Sequence, residues 1–189
     1  MLDQPETIFR EQLREMQLAL DEFEAIQKPT LAKLKGFCIG GELLLALCCD
    51  FRIASQRTIF ALPEVKLGIA VIMGTQRISR VVGMAAAKEL VLLGDRFNVQ
   101  TARALGLVHK AVPPDQLDAA VASLAGKFDR LPPRTIAVAK RILTEGYYLP
   151  LRDSEDLEID AQAQLLHSQD LREAVESYLA RRKPHFTGR

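Results

Sequence analysis

Apolar residues recur every three or four positions over the first part of the chain and again over most of its second half. Over residues 6–27 they lie among charged residues at helical spacing, which predicts an amphipathic helix that ends before Lys28-Pro29. Similar patterns predict helices at 75–82, 84–93, 98–105, 113–128, 133–145 and 154–180. The chain is therefore expected to be rich in helix.

Short apolar runs bounded by glycine, proline or polar turns predict strands between these helices. They cover residues 30–34, 51–54, 58–60 and 107–112, while the longer apolar run at 42–49 suits two buried helical turns. Strand patterns become rare after Gly94. We therefore predict an α/β protein with a core layer over residues 1–94 and a mostly helical region over residues 95–189, which form one continuous domain.

The composition and charge of the chain argue against several classes of protein. With 25 basic and 24 acidic residues the formal net charge is +1, so no overall field would attract nucleic acid or an anionic membrane. Three cysteines, two of them adjacent at Cys48 and Cys49, form neither a disulfide framework nor a CxxC metal site. No apolar stretch approaches the roughly 20 residues of a membrane span, and residues 1–5 do not resemble a secretion signal. We expect a soluble protein of the cytoplasm.

A glycine pair offers the first candidate for chemistry. Gly40 and Gly41 close the segment 36–41, just before the apolar run of the predicted helix. Backbone N–H groups left bare at such a turn can hold a developing oxyanion without reorganising, and the helix end adds partial positive charge. Spacing alone favours the plainer interpretation of a tight turn with close packing, and that alternative stays open at this point.

A second candidate is Glu64, which follows Pro63 on an irregular segment between an apolar strand and Gly68. A carboxylate beside an apolar pocket can carry a proton to or from carbon. Composition alone favours an exposed loop glutamate. Gly74 and the three residues after it predict only a capped helix start, with no catalytic role on local grounds. The scattered histidines predict no metal triad and no serine–histidine pair, and no nucleotide-binding glycine fingerprint occurs.

Several short motifs together resemble the enoyl-CoA hydratase/isomerase (crotonase) family in their order and spacing. They are Lys28-Pro29, residues 36–41 and 46–50, Arg52-Ile53-Ala54-Ser55, Phe60, Pro63-Glu64, Leu67-Gly68, Gly74-Thr75-Gln76-Arg77, Gly94-Asp95-Arg96, residues 104–108 and the tail 182–186. The resemblance covers the chain from Lys28 to its end. It implies a spiral of ββα units, a helical C-terminal region that forms trimers or hexamers, and acyl-CoA thioesters of fatty acid breakdown as substrates. Coenzyme A is then part of the substrate, and no separate cofactor is expected.

The resemblance also assigns roles to residues. Gly41 matches the family glycine whose backbone N–H holds the thioester oxygen, and Glu64 matches a carboxylate that transfers protons. Gly40, Leu44, Gly68 and Gly74 match positions around the substrate. An enolate held by the Gly41 N–H would make proton transfer next to the carbonyl feasible.

One departure from the family concerns the second carboxylate of hydratases, which would fall at Leu44. Hydration of a double bond usually uses two carboxylates around one water, whereas a double-bond shift needs one base that removes and returns a proton. The residues therefore favour isomerase-like chemistry. Glu42 lies about 200° from Leu44 around a helix and is expected to face elsewhere. The loop 68–75 is one residue shorter than in the family and lacks its Pro-Gly step.

Another departure is at the front of the chain. Family members begin with strands and an AG-D segment that supplies the other oxyanion donor, and the resemblance implies that a chain starting at Met1 lacks them. Loss of one donor typically costs on the order of 10² to 10³ in rate. A truncated product, a pseudogene-like reading frame and a misplaced start remain open explanations. The alternative to an enzyme is a catalytically impaired remnant that acts through oligomerisation or interaction.

Overall fold

The computed structural model of the chain describes residues 4–189. Residues 1–3, on which part of the secretion-signal prediction falls, lie outside the described residues. The described chain forms two compact units, one comprising residues up to 25 together with 30–121, the other comprising residues 26–29 and 122–189. The division near residue 94, which rests on the change of pattern, stays a prediction.

The first unit contains all the strands found among the described residues. Its elements are α1 (Glu6–Glu24), β1 (Leu31–Leu34), β2 (Phe37–Ile39), α2 (Gly41–Leu47), β3 (Phe51–Ser55), β4 (Ile59–Ala61), a 3-10 helix (Pro63–Leu67), α3 (Thr75–Val82), α4 (Met84–Leu93), β5 (Phe97–Asn98), α5 (Val99–Ala104), β6 (Lys110–Val112) and a second 3-10 helix (Pro114–Gln116). Helix α6 (Leu117–Phe128) begins in the first unit and continues into the second, which also contains α7 (Pro133–Gly146), α8 (Leu151–Leu165) and α9 (Gln169–Leu179). The predicted α/β class and the helical C-terminal region are confirmed.

Strands β1 to β4 of the first unit alternate between two small sheets. One sheet has the order β1-β3-β6 with parallel pairs, and the other has the order β2-β4-β5, with β2 and β4 parallel and β5 antiparallel to β4. Of the strands β1 and β2, which precede α2, one lies in each sheet, and the same holds for β3 and β4, which precede α3. This arrangement stacks the ββα motifs β1-β2-α2 and β3-β4-α3, because each sheet pairs equivalent strands of the two motifs.

The core of the first unit is formed where these strands meet helices α2 to α5. Phe60 of β4, Leu43 of α2 and Ile78 of α3 are fully buried, as are Leu62 and Leu107. Complete burial of such a side chain stabilises the fold by about 1.5–3 kcal/mol. The helical periodicity of the sequence is therefore explained by faces that pack on this core. Among the described residues, no helix combines the length and hydropathy needed to cross a membrane.

Several elements differ from the sequence prediction, among them strand β5, which pairs with β4 and is absent from the predicted strands. Segment 36–41 is predicted as a single strand-to-helix turn, but it contains the strand β2, which pairs with β4. Three residues are too few to show strand periodicity. The helix predicted over 154–180 is two helices, because Ser168 starts α9 by accepting a hydrogen bond from the Leu171 N–H. The apolar spacing continues across this break, so periodicity alone could not locate it.

Candidate active site

Parallel pairing of β2 and β4 brings Gly40 and Glu64 together. Ile39 pairs with Ala61, and the pairing continues through the Gly40 N–H, which donates to the Ala61 carbonyl at 3.0 Å. Both strands end at the same edge of the sheet. There the chain enters α2 at Gly41 on one strand and reaches Glu64 through Leu62 and Pro63 on the other. Parallel strands commonly gather functional groups at their carboxyl ends in this way.

Gly40 has a backbone conformation and a neighbour that both require glycine. Its φ is +58°, in the region that side chains disfavour. A Cβ atom built on Gly40 would lie 3.0 Å from Oε1 of Glu64. The glycine therefore leaves the space that the Glu64 carboxylate occupies.

The Glu64 carboxylate is incompletely satisfied. Within the described part of the chain, its Oε2 atom is buried and has no hydrogen-bond partner. Leaving a buried polar group unpaired costs about 1–3 kcal/mol, and more when the group is charged, so such atoms are uncommon in folded proteins. A carboxylate that lies beside a glycine turn through Oε1 and keeps an unpartnered Oε2 is the arrangement expected of a group that exchanges a proton with a ligand.

Gly41 is the first residue of α2, where backbone N–H groups have no intrahelical acceptor. The residue is exposed, so its N–H is accessible to a ligand. The nearby Glu42 carboxylate turns back on the chain and accepts a hydrogen bond from the Ile39 N–H at 3.3 Å. Glu42 is exposed, whereas Leu44 on the same helix is buried. The two side chains thus face different environments.

Leu44 and Gly74 are in contact across α2 and the start of α3. Leu44 is only 7% exposed, and its Cδ1 lies 3.7 Å from where a Cβ on Gly74 would sit. Cγ1 of Val71 lies 2.9 Å from the same position. The Leu44 N–H donates to the Gly40 carbonyl at 2.9 Å, which links this apolar wall to the glycine turn.

Gly68 ends the 3-10 helix that carries Glu64. It has a left-handed φ of +74°, and a Cβ there would meet open space. The next residue, Ile69, donates its N–H to the Glu64 carbonyl at 3.2 Å. Gly68 therefore directs the backbone into the loop toward Gly74. The structure brings Gly40, Gly41 and Glu64 together, with Leu44 and Gly74 forming the adjacent apolar wall.

Sequence reasoning missed two participants in this region. Val71 lies in a segment predicted only as irregular, yet it is buried against Gly74. A lone buried valine in a loop has no periodicity by which it could be found. Arg77 received no role on local grounds, but its guanidinium binds Asp21, Glu24 and the Met73 carbonyl. The carboxylates of α1 raise the pKa of Arg77 above its usual range.

The remaining reactive side chains contribute to packing. Burial raises the pKa of the Cys38 thiol to about 12, with a further contribution from Glu42, and raises that of Cys48 to about 12, so both are poor nucleophiles near neutral pH. Cys49 is partly exposed, whereas Cys38 and Cys48 are buried. Among the described residues, no cluster of three or more His, Cys, Asp or Glu side chains could hold a metal ion.

Comparison with known proteins points to one family. The family model described as enoyl-CoA hydratase/isomerase matches residues 1–189. The chain is 37% identical over 164 residues to a crotonyl-CoA hydratase of Syntrophomonas wolfei, covering 86% of this chain and 63% of the relative. It is 38% identical over 179 residues to an enoyl-CoA isomerase/hydratase of Mycosarcoma maydis, covering 94% of this chain and 65% of the relative. The chain thus spans less than two thirds of the length of either relative.

A solved structure supports the same grouping. The crystal structure of an enoyl-CoA hydratase from Bacillus anthracis superposes with a TM-score of 0.93 and 29% sequence identity. The match covers 100% of this chain and 73% of that one. The predicted crotonase-like fold is confirmed by this likeness.

Proposed function

Because this chain belongs to the enoyl-CoA hydratase/isomerase family, we propose that it acts on acyl-CoA thioesters by moving a proton next to the thioester carbonyl. The observation that carries the proposal is the Glu64 carboxylate, whose Oε1 atom lies beside Gly40 and whose buried Oε2 atom has no hydrogen-bond partner in the described residues. A base that must take and return a proton needs such an unoccupied lone pair.

In this mechanism the Gly41 N–H donates a hydrogen bond to the thioester oxygen. The Glu64 carboxylate removes a proton from the carbon between the carbonyl and the double bond of a 3-enoyl-CoA. The electrons move onto the oxygen as a dienolate, which the hydrogen bond at Gly41 stabilises. Protonated Glu64 then delivers the proton to the distal carbon, so that a 2-enoyl-CoA forms and the carboxylate is regenerated.

Leu44 favours this double-bond shift over hydration. Its side chain is apolar and buried beside the glycine turn, so it cannot share a water with Glu64. The exposed Glu42 carboxylate is held on the Ile39 N–H and does not replace it. With one carboxylate at the site, a reaction that needs one base is favoured over a reaction that positions and activates water.

The sequence also predicts the cofactor, the oligomeric state, the location and the partners of the protein. Coenzyme A is part of the substrate, and we propose no other cofactor. A homotrimer or hexamer, a cytoplasmic location, a place in fatty acid breakdown, and the absence of nucleic-acid or membrane partners remain predictions. Light scattering of the purified chain would test the first of these, since a trimer has three times the mass of the 21.0 kDa chain.

The proposal is tested by following two reactions with the purified chain. Double-bond migration on a 3-enoyl-CoA should be faster than hydration of crotonyl-CoA. Hydration at least as fast as migration would contradict the interpretation of Leu44. A folded chain that performs neither reaction would favour the alternative of a non-catalytic protein that acts through oligomerisation.

A further inference from the structure

We propose that Arg77 is a positioning residue that holds the loop 68–74 in place beside Glu64 and so connects helix α1 to the site. The inference rests on the proposed function, because it concerns the geometry of that same site. Arg77 itself lies on the first turn of α3 and is not in the glycine turn.

The Arg77 guanidinium contacts both partners that it would connect. Its Nε and Nη2 atoms donate to the two oxygens of Glu24 at 3.0 and 2.6 Å, and Nη2 also donates to Asp21 at 2.8 Å. Its Nη1 atom donates to the Met73 carbonyl at 2.8 Å. The side chains of Arg77 and Glu24 are only 13% and 29% exposed, so the paired hydrogen bonds between them are partly shielded from solvent and fix the guanidinium plane.

Met73 is the part of the loop that needs such support. Its φ is +61°, a left-handed conformation that a residue with a side chain adopts at a cost. The hydrogen bond from Arg77 to the Met73 carbonyl compensates for that cost and selects this conformation. Without it, the backbone at Met73 is expected to relax toward a more common geometry.

Relaxation at Met73 would reach the site through short contacts. Gly74 follows directly and packs on Val71 and Leu44, and the Thr75 N–H and hydroxyl both bind the Val71 carbonyl. At its other end the loop is attached to Glu64, whose carbonyl accepts the Ile69 N–H. A shift of the loop therefore moves the apolar wall and the segment that carries the Glu64 carboxylate.

The test uses Arg77→Met, which keeps an apolar stem without the guanidinium, and Arg77→Lys, which keeps the charge but not the fork. Gln76→Met, an exposed neighbour on the same helix, is the matched control. Arg77→Met should lower kcat by about 10²-fold, as expected for a small misplacement of a catalytic group, with KM changed much less. Arg77→Lys should be intermediate and Gln76→Met unchanged. Circular dichroism and thermal melting verify that each variant is folded.

A second substitution separates positioning from a purely structural role. Glycine at position 73 adopts the left-handed conformation without steric cost. Met73→Gly placed in the Arg77→Met background should therefore recover about tenfold in kcat. A role limited to stability would lower the melting temperature, leave kcat of the folded fraction unchanged and show no such recovery. That result would overturn the proposal.

Hydrogen exchange tests the loop independently of turnover. The Ile69 and Thr75 amides should exchange faster in Arg77→Met than in wild type, and at the wild-type rate in Gln76→Met. Unchanged protection at both amides would overturn the proposal. If wild type converts neither acyl-CoA, the proposed function fails, and the exchange rates alone then support or overturn the attachment of the loop by Arg77.

Discussion

Two ionisable side chains of the first unit, the buried Arg52 and the partly buried Glu64, differ in their hydrogen bonding. Arg52 is 5% exposed, and its guanidinium donates to the carbonyls of Leu107, Ala46 and Cys49. These bonds link the end of α2 to the segment before β6. The Glu64 carboxylate is also buried at Oε2, yet that atom has no hydrogen-bond partner within the described residues.

The difference separates a structural charge from a reactive one. Burial lowers the pKa of Arg52, yet a buried charge whose hydrogen bonds are satisfied holds its neighbours in place. A buried charge that lacks a partner costs stability, so its retention points to a role with a ligand. Removing Arg52 should therefore damage the fold, and removing the charge of Glu64 should damage the reaction.

Glu64→Gln should give the largest effect, a loss of about 10²- to 10⁴-fold in the rate of double-bond migration, because the amide cannot accept the proton. Its melting temperature should remain close to that of wild type, since Oε2 has no hydrogen-bond partner to lose among the described residues. The control is Glu42→Gln, an exposed carboxylate on the adjacent turn, which should retain activity. Wild-type activity in Glu64→Gln would remove Glu64 from the mechanism.

Arg52→Met should affect stability and not primarily the reaction. We expect a loss of about 3 kcal/mol in the free energy of unfolding, because several buried carbonyls lose their donor. Denaturant titration measures the change. The exposed Arg57 provides a matched control, for which Arg57→Met should change stability by less than about 0.5 kcal/mol. A loss in Arg52→Met no larger than that of the control would contradict the structural role of Arg52.

Gly40→Ala tests the space beside the carboxylate. Its Cβ would meet Oε1 of Glu64 at 3.0 Å, whereas Gly36 has a similar positive φ of +70° and open space around a Cβ. Both alanine variants should lose about 1–2 kcal/mol of stability from backbone strain. Activity of the folded protein should fall by about tenfold in Gly40→Ala alone, through displacement of Glu64. Equal activity in the two variants would show that the contact is unimportant.

The smallest effect is expected at His109, whose protonation makes the stability of the protein depend on pH. Burial, Arg52 and Arg103 lower the pKa of His109 below its usual 6.5, and its Nδ1 accepts the Arg52 N–H. The unfolded chain therefore binds more protons near pH 6, so stability from this group is present above about pH 6.5 and decreases as pH falls through the folded-state pKa. Denaturant titrations at pH 7 and pH 5.5 should show a smaller decrease in His109→Gln. An identical decrease in both proteins would contradict this linkage.

Sequence patterns predicted the helices best where capping and periodicity coincide. The predicted helices 75–82 and 84–93 agree with α3 and α4, because Gly83 and Gly94 end them and their apolar spacing is regular. Strand β2 was missed, since a short strand is defined by its partner. The family that the ordered motifs predicted is confirmed by the family model, which matches the whole chain, whereas the roles of Gly41 and Glu64 stay predictions until the variants are assayed.

Only some residues of the candidate site could be predicted from the sequence. Resemblance selected Gly40, Gly41 and Glu64, and local spacing alone favoured a plain turn and a surface loop. The contacts of Val71 and Arg77 were not predicted, because they depend on the course of an irregular loop and on partners in α1 and α2. No residue pattern indicates that the Met73 carbonyl accepts a hydrogen bond from the Arg77 guanidinium.

The sequence by itself determined the periodic helices and, through its ordered motifs, the resemblance to the family, because these depend on residue type and spacing along the chain. Only the tertiary structure decided that Gly40 meets Glu64 and that one oxygen of this carboxylate has no partner among the described residues. The physical reason is that parallel pairing of β2 with β4 joins residues far apart in the chain, and the burial and hydrogen bonding of a side chain depend on every element packed around it.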